Sequence, residues 1–259
     1  MAVDGSADDA SDPDEAPGSG AEEDVEAGVD GVDAAALSPR YEDALRHIYR
    51  LETTGDGWVA NADLARHLDV TRATVTSTFQ ALADRGLVEH ETYRPVRLTD
   101  AGRRVALDVV RRHRLVETAL CDLFDYGLSE VDVEADVLEH HLSDRLCAAL
   151  ERELGMPTTD PHGDPIPDAE LTLPETVSTD SLASVPVATG RVEVRRVRST
   201  DDAVIDYLAD AGVAPGSVLT VAERTSFGMV TVDVDGSRTS LPSDVAGSVL
   251  VVPVDDAES

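Results

Sequence analysis

What most restricts this chain is an ordered run of local signals between residues 60 and 104. An Asn61 cap opens a short helix through Leu64, Ala65 and Leu68. After the Asp69-Val70-Thr71 turn a second helix carries Val75, Phe79 and Leu82 until Gly86 stops it. Leu87-Val88-Glu89-His90-Glu91 and Pro95-Val96-Arg97-Leu98 follow as two short strands around Thr92-Tyr93-Arg94. Thr99-Asp100-Ala101-Gly102 then caps a long helix through Val105, Val109, Val110, Leu115, Leu120 and Leu123. Short helices, a tight turn, a two-stranded wing and a following helix spell a winged helix-turn-helix. One more helix precedes the run: Ser38 and Pro39 start it, Tyr41, Ala44, Leu45, Ile48 and Leu51 form its apolar stripe, and Thr54-Gly55 ends it.

A winged helix-turn-helix presents the start of its second short helix to the major groove. Thr71, Arg72, Ala73, Thr74 and Ser77 are therefore the candidates to reach base edges, and Arg94 and Arg97 of the wing the candidates to meet phosphate or the minor groove of double-stranded DNA. The charge distribution agrees. Of 259 residues, 21 are basic, all of them Arg, against 52 acidic ones, a formal net charge of −31. Residues 1–36 hold 12 acidic and no basic residues, residues 40–104 hold 10 of each sign, and residues 105–259 hold 11 Arg and 30 acidic residues. The neutral segment of a polyanion is where DNA phosphates are tolerated. Such an anionic surface suits a halophile, whose concentrated cytosolic salt screens charges over ~3 Å at molar ionic strength. Residues 1–36, without an aromatic residue, read as a disordered acidic tail.

Between residues 111 and 144 the spacing suggests a metal sensor. On a helix, Asp136, Glu139 and His140 project from one face, Asp132 lies one turn earlier, and His113 with Glu117 forms a second pair one turn apart. Carboxylates beside imidazoles suit Mn(II), Fe(II) or Zn(II) and offer Cu(I) no thiolate. Ser129 is the expected cap of the helix carrying Asp132 to His140, and Ser143 that of a further helix ending at Gly155. Val131, Ala135, Leu138, Leu142, Leu146 and Leu150 make an apolar stripe with no evident partner, which predicts a homodimer interface.

From Met156 to about Pro186 the chain is rich in Pro, Asp and Thr and reads as a linker. Val-rich alternation then continues to Val254, with an Asp235-Gly236 hairpin turn and one helix near Asp201, which suggests a small SH3-like barrel. Cys121 and Cys147 lie too far apart for a C-x-x-C site and are too few for a disulfide framework. No export signal and no apolar run of about 18 residues is present, so a cytoplasmic protein without membrane attachment is expected.

The chain from about Leu37 to Val254 resembles the iron- or manganese-dependent repressors of the diphtheria-toxin-repressor type. The resemblance rests on Leu45-Arg46-His47-Ile48-Tyr49-Arg50-Leu51-Glu52, Arg112-His113-Arg114-Leu115-Val116-Glu117, Glu139-His140, His162-Gly163-Asp164-Pro165-Ile166-Pro167 and Ala214-Pro215-Gly216-Ser217. It implies an α+β chain: a tail (1–36), a winged helix-turn-helix (37–104), an all-α dimerisation and metal-binding domain (105–156), a linker (157–186) and an SH3-like β-barrel of FeoA type (187–254). It places a primary metal site at Asp43, Asp136, Glu139 and His140, and an ancillary site at His113, Glu117, Asp132 and Asp201. Asp43 and Asp136 stand where iron-type members use Met and Cys. That harder donor set favours Mn(II) over Fe(II). Arg46 stands where manganese-type members carry a second acidic ligand, which argues against a two-manganese cluster. The implied function is non-enzymatic: metal acts as corepressor, promotes binding of the dimer to a palindromic operator, and represses metal-uptake genes. Two other readings fit the residues, a metal-independent winged-helix regulator sensing another ligand and a metal-dependent hydrolase.

Overall fold

The computed structural model describes residues 37–55, 57–91 and 94–254. The expected acidic tail, residues 1–36, lies outside them.

The N-terminal part is three helices and a wing. α1 (Pro39–Thr54) starts after Ser38 with its proline in the first turn and buries Ala44, Leu45, Ile48 and Tyr49. α2 (Asn61–His67) and α3 (Arg72–Ala83) form the helix-turn-helix. Asn61 is not the cap of α2 but its first residue; its amide donates instead to the Arg72 carbonyl and Thr76 hydroxyl of α3. Thr71, the last residue of the expected turn, caps α3 and accepts from the Thr74 N–H. Among the described residues of the wing, β1 (Val88–Glu89) and β2 (Arg97–Leu98) pair, Val88 opposite Leu98, shorter than the two strands expected. Glu52 holds these pieces together: its buried carboxylate accepts from the Leu98 N–H and binds Arg103 at 2.6 Å, joining α1, the wing and the next helix.

That helix, α4 (Asp100–Phe124), is capped by Thr99 and runs under both halves of the molecule. Its N-terminal turns pack with the winged domain, while Val116 and Leu120 pack on α5 (Val131–Leu138). Here two expectations are corrected. Ser129 does not cap α5, because the helix begins one residue later behind Glu130, without a side-chain cap. The helix also stops at Leu138, and Glu139–His141 continue as a 3-10 turn before α6 (Asp144–Glu153), which Ser143 caps. The apolar stripe is largely internal to the protomer. Val131 and Ala135 are fully buried against α4, with Leu138 and Leu142 beside them, although Leu146 is 47% exposed. Further exposed apolar side chains of this part are Val133 and Val137 on the opposite face of α5 and Leu123 and Phe124 at the end of α4.

The C-terminal part is one antiparallel sheet in the order β3-β8-β4-β5-β6-β7. It comprises β3 (Asp180–Ser181), β4 (Arg191–Val197), β5 (Val218–Arg224), β6 (Val230–Val234), β7 (Ser237–Leu241) and β8 (Val249–Pro253), with α7 (Asp202–Asp210) and α8 (Ser243–Ser248). Alternate valines, among them Val192, Val194, Val221, Val232 and Val251, fill its core. Asp235 and Gly236, both at positive φ (50° and 84°), make the β6–β7 turn. Asp180–Ser181 pairs with β8, so the sheet recruits an edge strand from the expected linker. The linker's start is also tightly placed. Ile166 is buried with Leu115 and Cys147 of the helical domain, while Gly163 passes so close to β4 that a Cβ would lie 2.0 Å from the Arg195 carbonyl oxygen.

A second close approach sets the angle of α4 to the wing, since a Cβ on Gly102 would lie 1.8 Å from the Leu87 carbonyl oxygen. Gly102→Ala is expected to destabilise the fold by about 1–3 kcal/mol. A fall of several degrees in the thermal midpoint checks it; an unchanged midpoint would contradict this packing.

Candidate metal centre

Asp136 is on the last turn of α5, and Glu139 and His140 are on the 3-10 turn that follows it. Asp136 and Glu139 face α4, where His113 Nδ1 lies 2.6 Å from Glu139 Oε2 and 3.4 Å from Asp136 Oδ1. His140 faces α1, with Nε2 at 3.0 Å from Asp43 Oδ1 and 3.6 Å from Glu139 Oε1. On the far side of His113, Nε2 lies 3.4 Å from both Glu117 Oε1 and Asp132 Oδ1. Three triads result, each with its donor atoms within 4.8 Å: Asp43, Glu139 and His140; His113, Asp136 and Glu139; His113, Glu117 and Asp132.

Two sites read from spacing thus become one chain of donors, with Glu139 and His113 shared between neighbours. Asp136, expected beside Asp43 and His140, groups with His113 instead. Asp201 does not join at all: its carboxylate accepts from the Ala203 N–H and caps α7. A cavity of about 360 Å³ beside the third triad is lined by Asp202, the next residue, with Asp160 and His162.

Glu42 and His162 escaped the sequence reading as contributors, and Arg46, which it set at a ligand position of the family, enters as a cation. Glu42 Oε2 accepts from His140 Nδ1 at 2.6 Å, leaving Nε2 as the nitrogen turned toward Asp43 and Glu139. The i, i+98 separation left no local signal for this pair. Arg46 enters the middle triad, its Nη2 at 2.5 Å from Asp136 Oδ1 and its Nη1 at 2.9 Å from His113 Nδ1. His162 of the linker segment reaches to 3.6 Å from Glu117. Beside it Asp160 is deeply buried against Arg114, and burial with the nearby Glu117 charge lifts its pKa to about 8.

The donor set fits a divalent ion. Glu139 has a wholly buried side chain, yet its Oε1 has no hydrogen-bond partner. A buried carboxylate oxygen without a donor is costly unless a cation satisfies it, and hard oxygens with imidazole nitrogen are what Mn(II), Fe(II) and Zn(II) take. Electrostatics point the same way. Burial pushes the Asp43 pKa up, with His140 and Arg46 opposing. Burial also opposes charge on His113, but Glu117 and the hydrogen bonds to Asp132 and Glu117 prevail, and its pKa rises well above the ordinary imidazole value. In return His113 lowers Glu117 against the cost of burial, and its hydrogen bond brings Asp132 down to about 2.

On the DNA side, Thr71, Arg72, Ala73 and Ser77 are exposed at the start of α3, with Thr74 half-buried. Thr71 and Thr74 also bond each other at 2.9 Å. Thr76 and Gln80, which the sequence reading omitted, share the exposed face. Arg94 is solvent-exposed and pairs with Glu91, and Arg97 pairs with Glu89 at 2.7 Å while lying over the Trp58 ring.

Family models match residues 36–96 as an iron dependent repressor N-terminal DNA binding domain and residues 99–168 as an iron dependent repressor metal binding and dimerisation domain. A further model, the FeoA domain, matches residues 181–253. The chain belongs to the iron-dependent repressor family. The iron-dependent repressor IdeR of Mycobacterium tuberculosis is 35% identical over 221 residues, covering 81% of this chain and 95% of that protein. The diphtheria toxin repressor of Corynebacterium diphtheriae is 28% identical over 215 residues, covering 80% and 94%. Among solved structures, a manganese-dependent transcriptional repressor in complex with manganese superposes with a TM-score of 0.75 at 37% identity, over 83% of this chain and 100% of that one. Members of the family are metal-dependent, DNA-binding repressors rather than enzymes, and this chain carries their DNA-binding, dimerisation and FeoA domains. Among the described residues no helix is long and apolar enough to cross a membrane.

The electrostatics make a prediction. Glu117 and Asp132 are held anionic, so the proton that must leave for an ion to bind the third triad is on His113. Binding is expected to release protons near neutral pH and to strengthen as pH rises toward the raised His113 pKa, with less release in His113→Ala. Calorimetry in two buffers of different ionisation enthalpy measures this; identical heats would count against it.

Proposed function

We propose that this member of the family is a cytoplasmic, Mn(II)-responsive repressor. Asp43, Asp136, Glu139 and His140 form its primary site, and His113, Glu117 and Asp132 its ancillary one. Residue spans 37–104, 105–156 and 187–254 serve as its DNA-reading, dimerising and barrel domains. The observation that carries this reading is the convergence of α1 and the 3-10 turn after α5 on a buried Glu139 oxygen that has no hydrogen-bond donor. Asp43 belongs to the DNA-reading domain and Glu139 with His140 to the dimerising one, so a divalent ion held by all of them would tie the two together. Ordering of that kind favours one spacing of the two recognition helices in a twofold dimer, which calls for a palindromic operator. Thr71, Arg72, Ala73, Thr74 and Ser77 would read bases, and Arg94 and Arg97 would bind the backbone.

Mn(II) ranks above Fe(II) because the donor set is carboxylate and imidazole without sulfur. The two cysteines lie outside the triads, and hard oxygens favour Mn(II) relative to softer ions. The genes repressed would be those for uptake of the same metal.

Operator binding measured in concentrated KCl across Mn(II), anaerobic Fe(II), Zn(II) and chelator tests the function. Binding indifferent to chelator would instead support a regulator that senses another ligand. Asp136→Ala and His140→Ala are each expected to abolish metal-stimulated binding while leaving a folded dimer, and His113→Ala to weaken it only partly. Full metal response in the first two would overturn the site. Asp136→Cys is expected to move the metal preference toward Fe(II) or Zn(II), read as the ratio of half-maximal concentrations at one fixed salt. An unchanged ratio would remove the basis for ranking Mn(II) first.

A further inference from the structure

We propose that Arg46 is a tethered cation that competes with the divalent ion for Asp136 and so sets how much metal the centre requires. The inference rests on the metal-centre reading above and adds to it a residue that is not a ligand.

Arg46 extends from α1 into the middle triad, and its side chain is only 12% exposed. There its Nη2 donates to Asp136 Oδ1 at 2.5 Å, and its Nε stands 3.5 Å from Glu139 Oε1. The guanidinium therefore sits among the carboxylates that would neutralise an ion. The Asp136 side chain is 43% exposed, so water weakens this pair in part, while the Arg46 guanidinium and the Glu139 carboxylate are shielded. Asp136 is drawn toward Arg46 and His113, while Asp43, Glu139 and His140 group without it.

The contacts are those of a placeholder rather than a finished structural clamp. Buried ion pairs retained for structure have their hydrogen bonds satisfied. Arg46 Nε and Glu139 Oε1 are both buried, face each other, and have no hydrogen-bond partner. Arg46 Nη1 lies against His113 Nδ1, yet that nitrogen already donates to Glu139 and cannot also accept. Only Asp136 gives the guanidinium a well-formed bond. An ion that draws Asp136 into the primary site must break that bond and bind beside a fixed positive charge. Both effects weaken its binding, and both vanish with the guanidinium.

The experiment measures Mn(II) affinity of the full chain by equilibrium dialysis, with free Mn(II) read by its EPR signal, at one fixed KCl concentration. Arg46→Gln is expected to bind Mn(II) at least about fivefold more tightly than the wild type, and Arg46→Lys, which keeps the charge, to stay close to it. In an Asp136→Asn background, the gain from Arg46→Gln is expected to shrink because the contested carboxylate is gone. A residue that merely supported the fold would weaken binding when replaced. Unchanged or weaker affinity in a folded, dimeric Arg46→Gln protein overturns the proposal, as does a full gain in the Asp136→Asn background. Should Arg46→Gln fail to fold, Arg46→Met retains an unbranched apolar stem and gives the same comparison. A wild-type chain that binds no Mn(II) would overturn the metal-centre reading itself, whatever the variants do.

Discussion

A carboxylate removed from water needs positive charge close by, and in this protein the demand is greatest at Glu139. Leaving such a group unpaired costs several kcal/mol. The partners come from three directions: His113 from α4, Arg46 from α1, and His140 from the same 3-10 turn. No one of these elements can shift without exposing the others' charges to each other. The buried carboxylate therefore couples the DNA-reading domain, through α1, to the helices that form the dimerising domain. One of its oxygens has no hydrogen-bond donor, although Arg46 Nε and His140 Nε2 stand 3.5 and 3.6 Å away.

The linker segment extends the same logic toward the barrel. Ile166 anchors it in the helical domain and Gly163 lets it cross β4 at van der Waals distance, while Arg114 binds Asp160 and Asp164. His162 is thereby held at the edge of the third triad. A stretch whose composition looks like a spacer is in fact a strap. It brings the barrel to the rim of the ancillary cluster, although the barrel residue expected there, Asp201, is occupied in capping a helix.

The strong acidity of the chain has a local counterpart in how its arginines are used. Arg94 and Arg97 of the wing each carry an acidic partner, as do Arg103 and Arg111 within the fold. The exposed pairs of Arg94 and Arg97 weaken as salt rises, because exposed charges are screened. Arg72 at the start of α3 is the exposed guanidinium best placed on the recognition helix itself.

Local chemistry was enough to reveal the elements. Pro39 after Ser38, Thr99 and Ser143 as caps, and Asp235-Gly236 as a tight turn each act within a few residues, and each stands where the sequence places it. The types of ligand were equally legible, because imidazole and carboxylate recurring at helical spacing are visible without a fold. How they are grouped was not. Glu139 reaches both His113 of α4 and its neighbour His140, His140 reaches Glu42 and Asp43 of α1, and Asp136 turns to His113 and Arg46. Glu42, Arg46 and His162 join the centre across separations of 98, 67 and 45 residues, for which the sequence has no local signal. The sequence by itself determined which donors exist and which elements carry them. Only the tertiary structure decided which donors lie together and what Arg46 contacts among them, because charge satisfaction in a buried site is a property of neighbours in space.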